Sequence, residues 1–244
     1  DNFVIKDGDE EYYRDNVSFE RIFSLFILDH SIRNTVMLAM LDIEEMLKTS
    51  AAYIIAEAFT SEYSKYSDIR NYKNIPRKNE RFSLKHILKK FDEAYCSDKD
   101  PIRYHREHYN NVPPWVLFKG VYLSTMVNYI RYFKAPQKEK IIYSILDISD
   151  ISTVDIPMKK CFSDLLYLFL EYRNLCAHAG RVYNHCPDAN VRIDPDLLRR
   201  LGIPENRLYL NSLGRLIAGI MMLRDDAPIY NIKRTLSNEL DRHC

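Results

Sequence analysis

The stretch SFERIFSLFILDHSIRNTVMLAMLDIEEMLKTSAAYIIAEAF, residues 18–59, contains neither glycine nor proline. Its apolar residues Phe19, Ile22, Phe23, Phe26, Val36, Met37, Met40, Ile43 and Leu47 recur at helical spacing. An α-helix gathers such positions on one side, whereas a strand would alternate them between two faces. With both breakers missing, the stretch predicts one long helix, or one kinked once. Asp29 and Arg33 stand four apart and can pair along it.

The rest of the chain is equally poor in breakers. Only six glycines and ten prolines occur in 244 residues, little more than half of average usage. Turn-rich β-sandwiches and barrels are disfavoured, and neither an alternating strand nor an internal repeat stands out. Residues 60–82 are polar and rich in tyrosine, and read as a loop. Ser83 is placed to cap an amphipathic helix carrying Leu84, Ile87, Leu88, Phe91 and Tyr95. Asp100-Pro101 signals another start, Pro113-Pro114 precedes a helix over 114–133, and Pro136 opens one to about Leu146. Asp155 and Pro157 begin a helix with the stripe Cys161, Leu165, Leu168, Phe169, Tyr172 and Cys176, for which Gly180 is the expected cap. Asp194-Pro195 restarts a helix that Gly202 and Pro204 stop, and helical segments follow at 205–224 and about 229–241. The expected fold is all-α, a bundle of roughly eight helices with no significant sheet. Residues 1–17 read as an acidic lead-in and residues 18–244 as one domain, with a basic loop–helix insertion at about 60–110.

Composition excludes several classes of function. Lys and Arg number 35 against 34 Asp and Glu, so no whole-protein cationic field exists. A 46% hydrophobic, 28% charged chain has the balance of a folded globule, not of a disordered one. No GxGxxG is possible, and Gly214 and Gly219 are followed by Ile220 and Met221 where a P-loop needs Lys and Ser or Thr. Cysteines 96, 161, 176, 186 and 244 form no CxxC pair, which favours free thiols in a reducing, cytoplasmic setting. The longest apolar run, Leu216 to Leu223, is far short of the roughly 20 residues that span a bilayer, so no membrane partner is expected. The chain begins at Asp1 without Met, which leaves room for a preceding segment.

The densest polar cluster on an otherwise apolar helix is Arg173-Asn174-Leu175-Cys176-Ala177-His178, continued by Arg181 and Asn184. Asn174 and His178 share a helix face, while Arg173 and His178 are turned about 140° apart. A helix break near Gly180, or a second copy across a two-fold axis, would bring them together. Histidine moves protons near neutral pH, and arginine stabilises charge building on a phosphoryl group. The plain alternative is a helix end whose histidine meets the terminal carbonyls.

Residues 170–184, Leu-Glu-Tyr-Arg-Asn-Leu-Cys-Ala-His-Ala-Gly-Arg-Val-Tyr-Asn, resemble the RN-x-CAHH-x-R-x-[WY]-N signature of the Abi-like abortive-infection proteins of AbiD/AbiF type. Those proteins are similar to the HEPN superfamily, whose ribonuclease motif is Arg, four to six residues, then His. Pro113-Pro114-Trp115-Val116 resembles the family's P-x-W-V helix start, and Asp29…Arg33 with Ile43-Glu44 its D-x-x-L-R…I-E helix. Order and spacing agree over about residues 18–225. Two positions depart: Ala179 stands where the family often has a second His, and Lys119 where it has an acid.

The resemblance implies a helical bundle that dimerises so that two motifs face one cleft. It implies a phage-defence endoribonuclease working without metal or other cofactor, in which His178 serves as general acid or base. Arg173 would stabilise the phosphorane-like charge and Asn174 would orient His178 or the phosphate. Arg181 and Asn184 would contact RNA. The alternative is a non-catalytic RNA-binding or dimerising module that holds a small RNA or an antitoxin partner. A third reading is silencing by nucleotidyl transfer onto a tyrosine such as Tyr183.

The local charge map fits an RNA partner. Between residues 70 and 90 lie eight basic residues against the single acid Glu80, and Lys73, Arg77, Lys78, Arg81, Lys85 and Lys89 are the candidates to neutralise phosphates. Tyr72 and Phe82 lie among them, with Arg103, His105, Arg106 and His108 just beyond. Tyr129, Arg131, Tyr132 and Lys134 form a weaker set. His105 and His108 with Cys96 lack a third well-spaced metal ligand, and the remaining tyrosines and Trp115 read as packing residues.

Overall fold

Ser18 accepts the Arg21 N–H in its side-chain oxygen and starts α1, Phe19–Phe59. The computed structural model describes residues 4–7, 10–15, 17–76, 79–187, 199 and 213–243. The helix of 41 residues is about 60 Å long at 1.5 Å per residue. Its buried positions Ile32, Val36, Ala39, Ile43, Leu47, Ala51 and Ile54 step by three and four and form a continuous seam. Against this seam pack α5 (Pro114–Leu117), α7 (Ala135–Ile145), α8 (Ile156–Ala177) and α10 (Ala227–His243). Contact with α10 is partly polar: Ser31 Oγ donates to Glu239 at 2.8 Å, and Thr35 to Thr235 at 3.0 Å.

The first turns of α1 depart from expectation. Phe19, Phe23 and Phe26 are 75%, 50% and 56% exposed and stack on one another along the helix. Periodicity reports that a segment is helical; it does not report whether a neighbour is long enough to cover the apolar ridge.

The lead-in also contains more structure than its acidity implied. Strands β1 (Val4–Asp7) and β2 (Glu10–Tyr13) pair antiparallel, with Ile5 opposite Tyr12. Val4, Ile5, Tyr12 and Tyr13 are strand-forming types, and Asp7-Gly8 is a hairpin signal in the sequence. The fold remains all-α.

Among the described residues the further helices are α2 (Tyr63–Tyr66), α3 (Leu84–Tyr95), α4 (Ile102–Tyr109), α6 (Leu123–Ile130) and α9 (Leu213–Ile220). Ser83 and Asp155 cap α3 and α8 as predicted, through the N–H groups of His86 and Met158. The predicted helix over 114–133 is broken: a 3-10 turn at Phe118–Gly120 and an extended Val121 separate α5 from α6. Gly120 lets α4 approach, since a Cβ there would lie 2.6 Å from Ile102 Cδ1. The helix expected at 194–202 lies outside the described residues apart from Arg199, as does the start of the one expected at 205–224.

The tyrosine-rich stretch is anchored rather than loose. Tyr66 Oη donates to the Val112 carbonyl at 2.6 Å, and Tyr72 Oη bonds the Tyr66 carbonyl and Tyr129 Oη. Lys73 N–H reaches the Tyr132 carbonyl at 2.8 Å, and Tyr132 Oη the Phe82 carbonyl at 2.6 Å. Phe91, Phe118 and Phe133 each meet Tyr129 edge to face and complete an aromatic core, with Phe91 and Phe118 tilted against one another. Burial drives the phenol pKa values of Tyr66, Tyr72 and Tyr129 far above the usual range.

Lys138 on α7 is buried, its ammonium over the Phe162 ring and 3.4 Å from the Ile130 carbonyl. Desolvation, with Lys73 and Arg131 nearby, brings its pKa down to about 8. The folded state therefore releases this proton more readily than the unfolded chain does. Stability should rise with pH between about 8 and the ordinary lysine value, by a few kcal/mol at most. In urea unfolding, Lys138→Met should be more stable than wild type at pH 7.5, and that advantage should shrink steadily towards pH 10.

Candidate functional site

Helix α8 ends at Ala177, and His178 follows as the half-helical residue of the cap, with φ −100° and ψ 19°. Ala179 then enters the left-handed region at φ 56°. Its N–H meets the Cys176 carbonyl at 3.2 Å while the Gly180 N–H meets the Leu175 carbonyl at 2.8 Å. This is a Schellman turn, and it corrects the expected role of Gly180. The strained conformation falls on Ala179. Gly180 is needed instead for close approach, because a Cβ there would sit 2.3 Å from Leu175 Cδ1.

The turn leaves Asn174 and His178 exposed, four residues apart on one face at the end of α8. Arg173 faces α1. Its Nε lies 3.5 Å from Glu44 Oε2, while Glu44 Oε1 pairs with Lys48 Nζ at 2.7 Å. The Arg173–Glu44 contact is a charge pair without a hydrogen bond, since both facing atoms are buried and without a hydrogen-bond partner. The Arg173 side chain keeps 27% exposure. Within one chain Arg173 and His178 therefore sit at the same helix end, Arg173 held against α1 and His178 exposed.

The segment beyond the turn is fixed by a buried carboxylate. Asp29, 4% exposed, accepts the Val182 N–H at 2.7 Å and the Tyr183 N–H at 3.0 Å on Oδ1. Its Oδ2 takes Arg33 at 3.1 Å, the pairing anticipated along α1. Val182 is fully buried below, while Arg181 and Asn184 are exposed on either side of the anchor. Tyr183 is half-buried. Further along, His185 Nε2 and Glu171 Oε1 pair at 2.7 Å, with the His185 ring edge-on to Tyr172. His185 ties the returning segment to the flank of α8.

The basic residues expected to meet RNA divide among different surfaces. Arg81 borders a large cleft between α3 and the α5–α6 bend, whereas exposed Lys85 and Lys89 lie outside its lining. Exposed Lys73 sits beside the connection between α6 and α7. Arg77 and Lys78 lie outside the described residues. The weaker set at 129–134 belongs largely to the fold: Tyr129 and Tyr132 are buried, Arg131 bonds Tyr167, and Lys134 donates to the Arg70 carbonyl at 2.9 Å. Arg106 likewise serves structure, through the Tyr95 and Ser97 carbonyls.

Trp115 is the clearest reversal. Expected as a packing anchor, it is 49% exposed at a shallow cavity of about 450 Å³ with Tyr53. Val116, Leu117 and Phe118 take the anchoring instead. His108 stacks on Tyr104, and among the described residues no group of three or more His, Cys, Asp or Glu could hold a metal ion. Also among the described residues, no helix is long and apolar enough to cross a membrane.

The sequence motifs left the roles of Asp29, Glu44 and Lys48 open. An acid at helix position i with a cation at i+4 reads as a surface pair; only tertiary packing aims Glu44 at Arg173 and Asp29 at a distant loop. Asp29→Ala would leave the buried Val182 N–H, the part-buried Tyr183 N–H and Arg33 without their acceptor and should cost roughly 2–4 kcal/mol in chemical denaturation. Ala179→Gly should do the reverse, raising stability by roughly 0.5–1 kcal/mol by relieving the left-handed strain.

Comparison with known proteins completes the picture. Neither the curated proteins nor the solved structures match this chain. A family model described as Abi-like protein matches residues 2–184 of the 244. The match takes in Asp29, Glu44, Trp115 and the whole segment from Arg173 to Asn184. Covering well over half of the sequence and ending at the last residue of the motif, it establishes that the chain belongs to the Abi-like protein family.

Proposed function

We propose that this protein is an endoribonuclease of a bacterial abortive-infection system, with Arg173, Asn174 and His178 as its reactive groups. Membership of the Abi-like family supports involvement in abortive infection, and an all-helical bundle is consistent with the HEPN superfamily. The observation that carries the catalytic reading is the open end of α8, where Asn174 and His178 are exposed on one face beside a partly exposed Arg173.

The reaction needs no external nucleophile. The RNA 2′-oxygen attacks the adjacent phosphorus, His178 removes its proton, and Arg173 stabilises the charge on the non-bridging oxygens. The leaving 5′-oxygen takes a proton, giving a 2′,3′-cyclic phosphate and a 5′-hydroxyl. Nucleophile and phosphorus belong to one strand, so positioning supplies much of the rate, and Asn174 would contribute by orienting His178 or the phosphate. The single histidine of the motif must serve as base and then as acid, unless a second copy supplies the other. A homodimer with two motifs around one cleft meets that need, and it also joins Arg173 of one copy to His178 of the other.

The second reading, RNA binding without cleavage, is favoured by the Lys48–Glu44–Arg173 chain, which occupies the arginine within the fold. The two readings separate in one experiment. The purified protein should cut single-stranded RNA in EDTA and leave cyclic phosphate ends, and His178→Ala should lower the rate at least 100-fold. Cleavage by His178→Ala at the wild-type rate would overturn the catalytic assignment. RNA retention by both proteins with no cutting by either would select the binding module.

A further inference from the structure

A cleft of about 1000 Å³ opens between α3 and the α5–α6 bend, reaching α1 at Glu44 and Lys48. Its charges do not cancel. Each acid in the wall already has a cation: Glu44 holds Lys48 at 2.7 Å, Glu93 holds Lys90 at 2.7 Å, and Asp100 holds Arg103 at 2.9 Å. Arg81, Lys99 and Lys119 also line the cleft, are exposed, and have no ion pair among the described residues. Three uncompensated cations around one concavity focus a positive field into it.

The shape and the rim narrow the ligand. The volume lies at the top of the range for drug-sized molecules, which suits a segment of a longer polyanion better than one phosphate. Phe82 and Tyr122, 41% and 77% exposed, flank the opening and present rings on which bases can stack. Ser124 and Thr125 add hydroxyls to the wall. One wall residue, Glu44, is itself the neighbour of Arg173 at 3.5 Å, so a single side chain separates the cleft wall from the arginine of the motif.

We propose that this cleft binds the single-stranded RNA flanking the scissile phosphate, with Arg81, Lys99 and Lys119 on successive phosphates and Phe82 and Tyr122 stacking bases. The assignment rests on the ribonuclease reading for what happens at Arg173, but RNA binding in the cleft can be measured without cleavage. It reaches beyond the basic run at 70–90, because two of the three cations come from the α3–α4 connection and the α5–α6 bend. Lys119 is the residue that replaces the acid common in the family.

The test uses the full chain carrying His178→Ala, to prevent cutting, and a fluorescein-labelled 12-nucleotide RNA. Arg81→Glu, Lys99→Glu and Lys119→Glu combined should weaken binding at least tenfold by anisotropy. The slope of log affinity against log salt should fall by about two, near 0.7 for each lost phosphate contact. Circular dichroism on the same samples checks folding, and Lys119→Ala alone should weaken binding in the same direction by a smaller factor. In the active protein, the combined variant should lose its preference for the 12-mer over a dinucleotide in kcat/KM. Wild-type affinity and salt slope in a folded combined variant would overturn the cleft. So would uridine 5′-monophosphate binding as tightly as the 12-mer, which would mark a free-nucleotide pocket. A combined variant that loses affinity while the wild type cuts nothing would support the cleft and reject the ribonuclease reading.

Discussion

The buried carboxylate of Asp29 is the contact on which the geometry of the site depends. A charge in that position must be satisfied on all sides, since an unpaired buried carboxylate would cost several kcal/mol. Here Oδ1 receives two backbone N–H groups from the segment after the motif and Oδ2 receives Arg33. Two elements 153 residues apart in the chain are thereby fixed in one register. A hydrophobic residue at position 29 could fill the space, but it could not specify which N–H groups face it.

The same helix constrains the site a second time. Glu44 lies 15 residues beyond Asp29, about 22 Å along the helix axis, and there it meets Arg173. Helix α1 therefore holds the arginine side of the motif through one acid and the returning segment through another. Between these two holds, the end of α8 carries Asn174 and His178 outward. The Schellman turn finishes the arrangement by reversing the chain within two residues, at the expense of a left-handed Ala179. The geometry at this position thus rests on two acids of α1, Asp29 buried and Glu44 half-buried.

The near-neutral composition conceals an uneven distribution of charge. The basic run at 70–90 reads in sequence as one patch, but the fold distributes it. Some of its members flank the tyrosine-anchored stretch, and Arg81 joins Lys99 and Lys119 from other segments around the cleft. Sequence proximity is a poor guide here because α3 buries Leu84, Ile87, Leu88 and Phe91, which turns the lysines between them to different sides.

The helical class, the N-caps at Ser83 and Asp155, and the candidate trio Arg173, Asn174 and His178 were legible in sequence. Each depends on spacing within one segment or on a short local motif. The N-terminal hairpin, the break at Gly120, the left-handed Ala179 and the exposed Trp115 were not read from the sequence. Two of these were present as local signals, Asp7-Gly8 and Gly120, but were outweighed by acidic composition and by apolar periodicity. The partners of the site residues were illegible for a different reason. Whether Glu44 meets Arg173, or Asp29 a backbone N–H in the 180s, depends on how helices distant in sequence cross. No local spacing encodes that crossing: the sequence alone determines which groups are available for chemistry, and tertiary packing decides which are held, which are open, and which face one another.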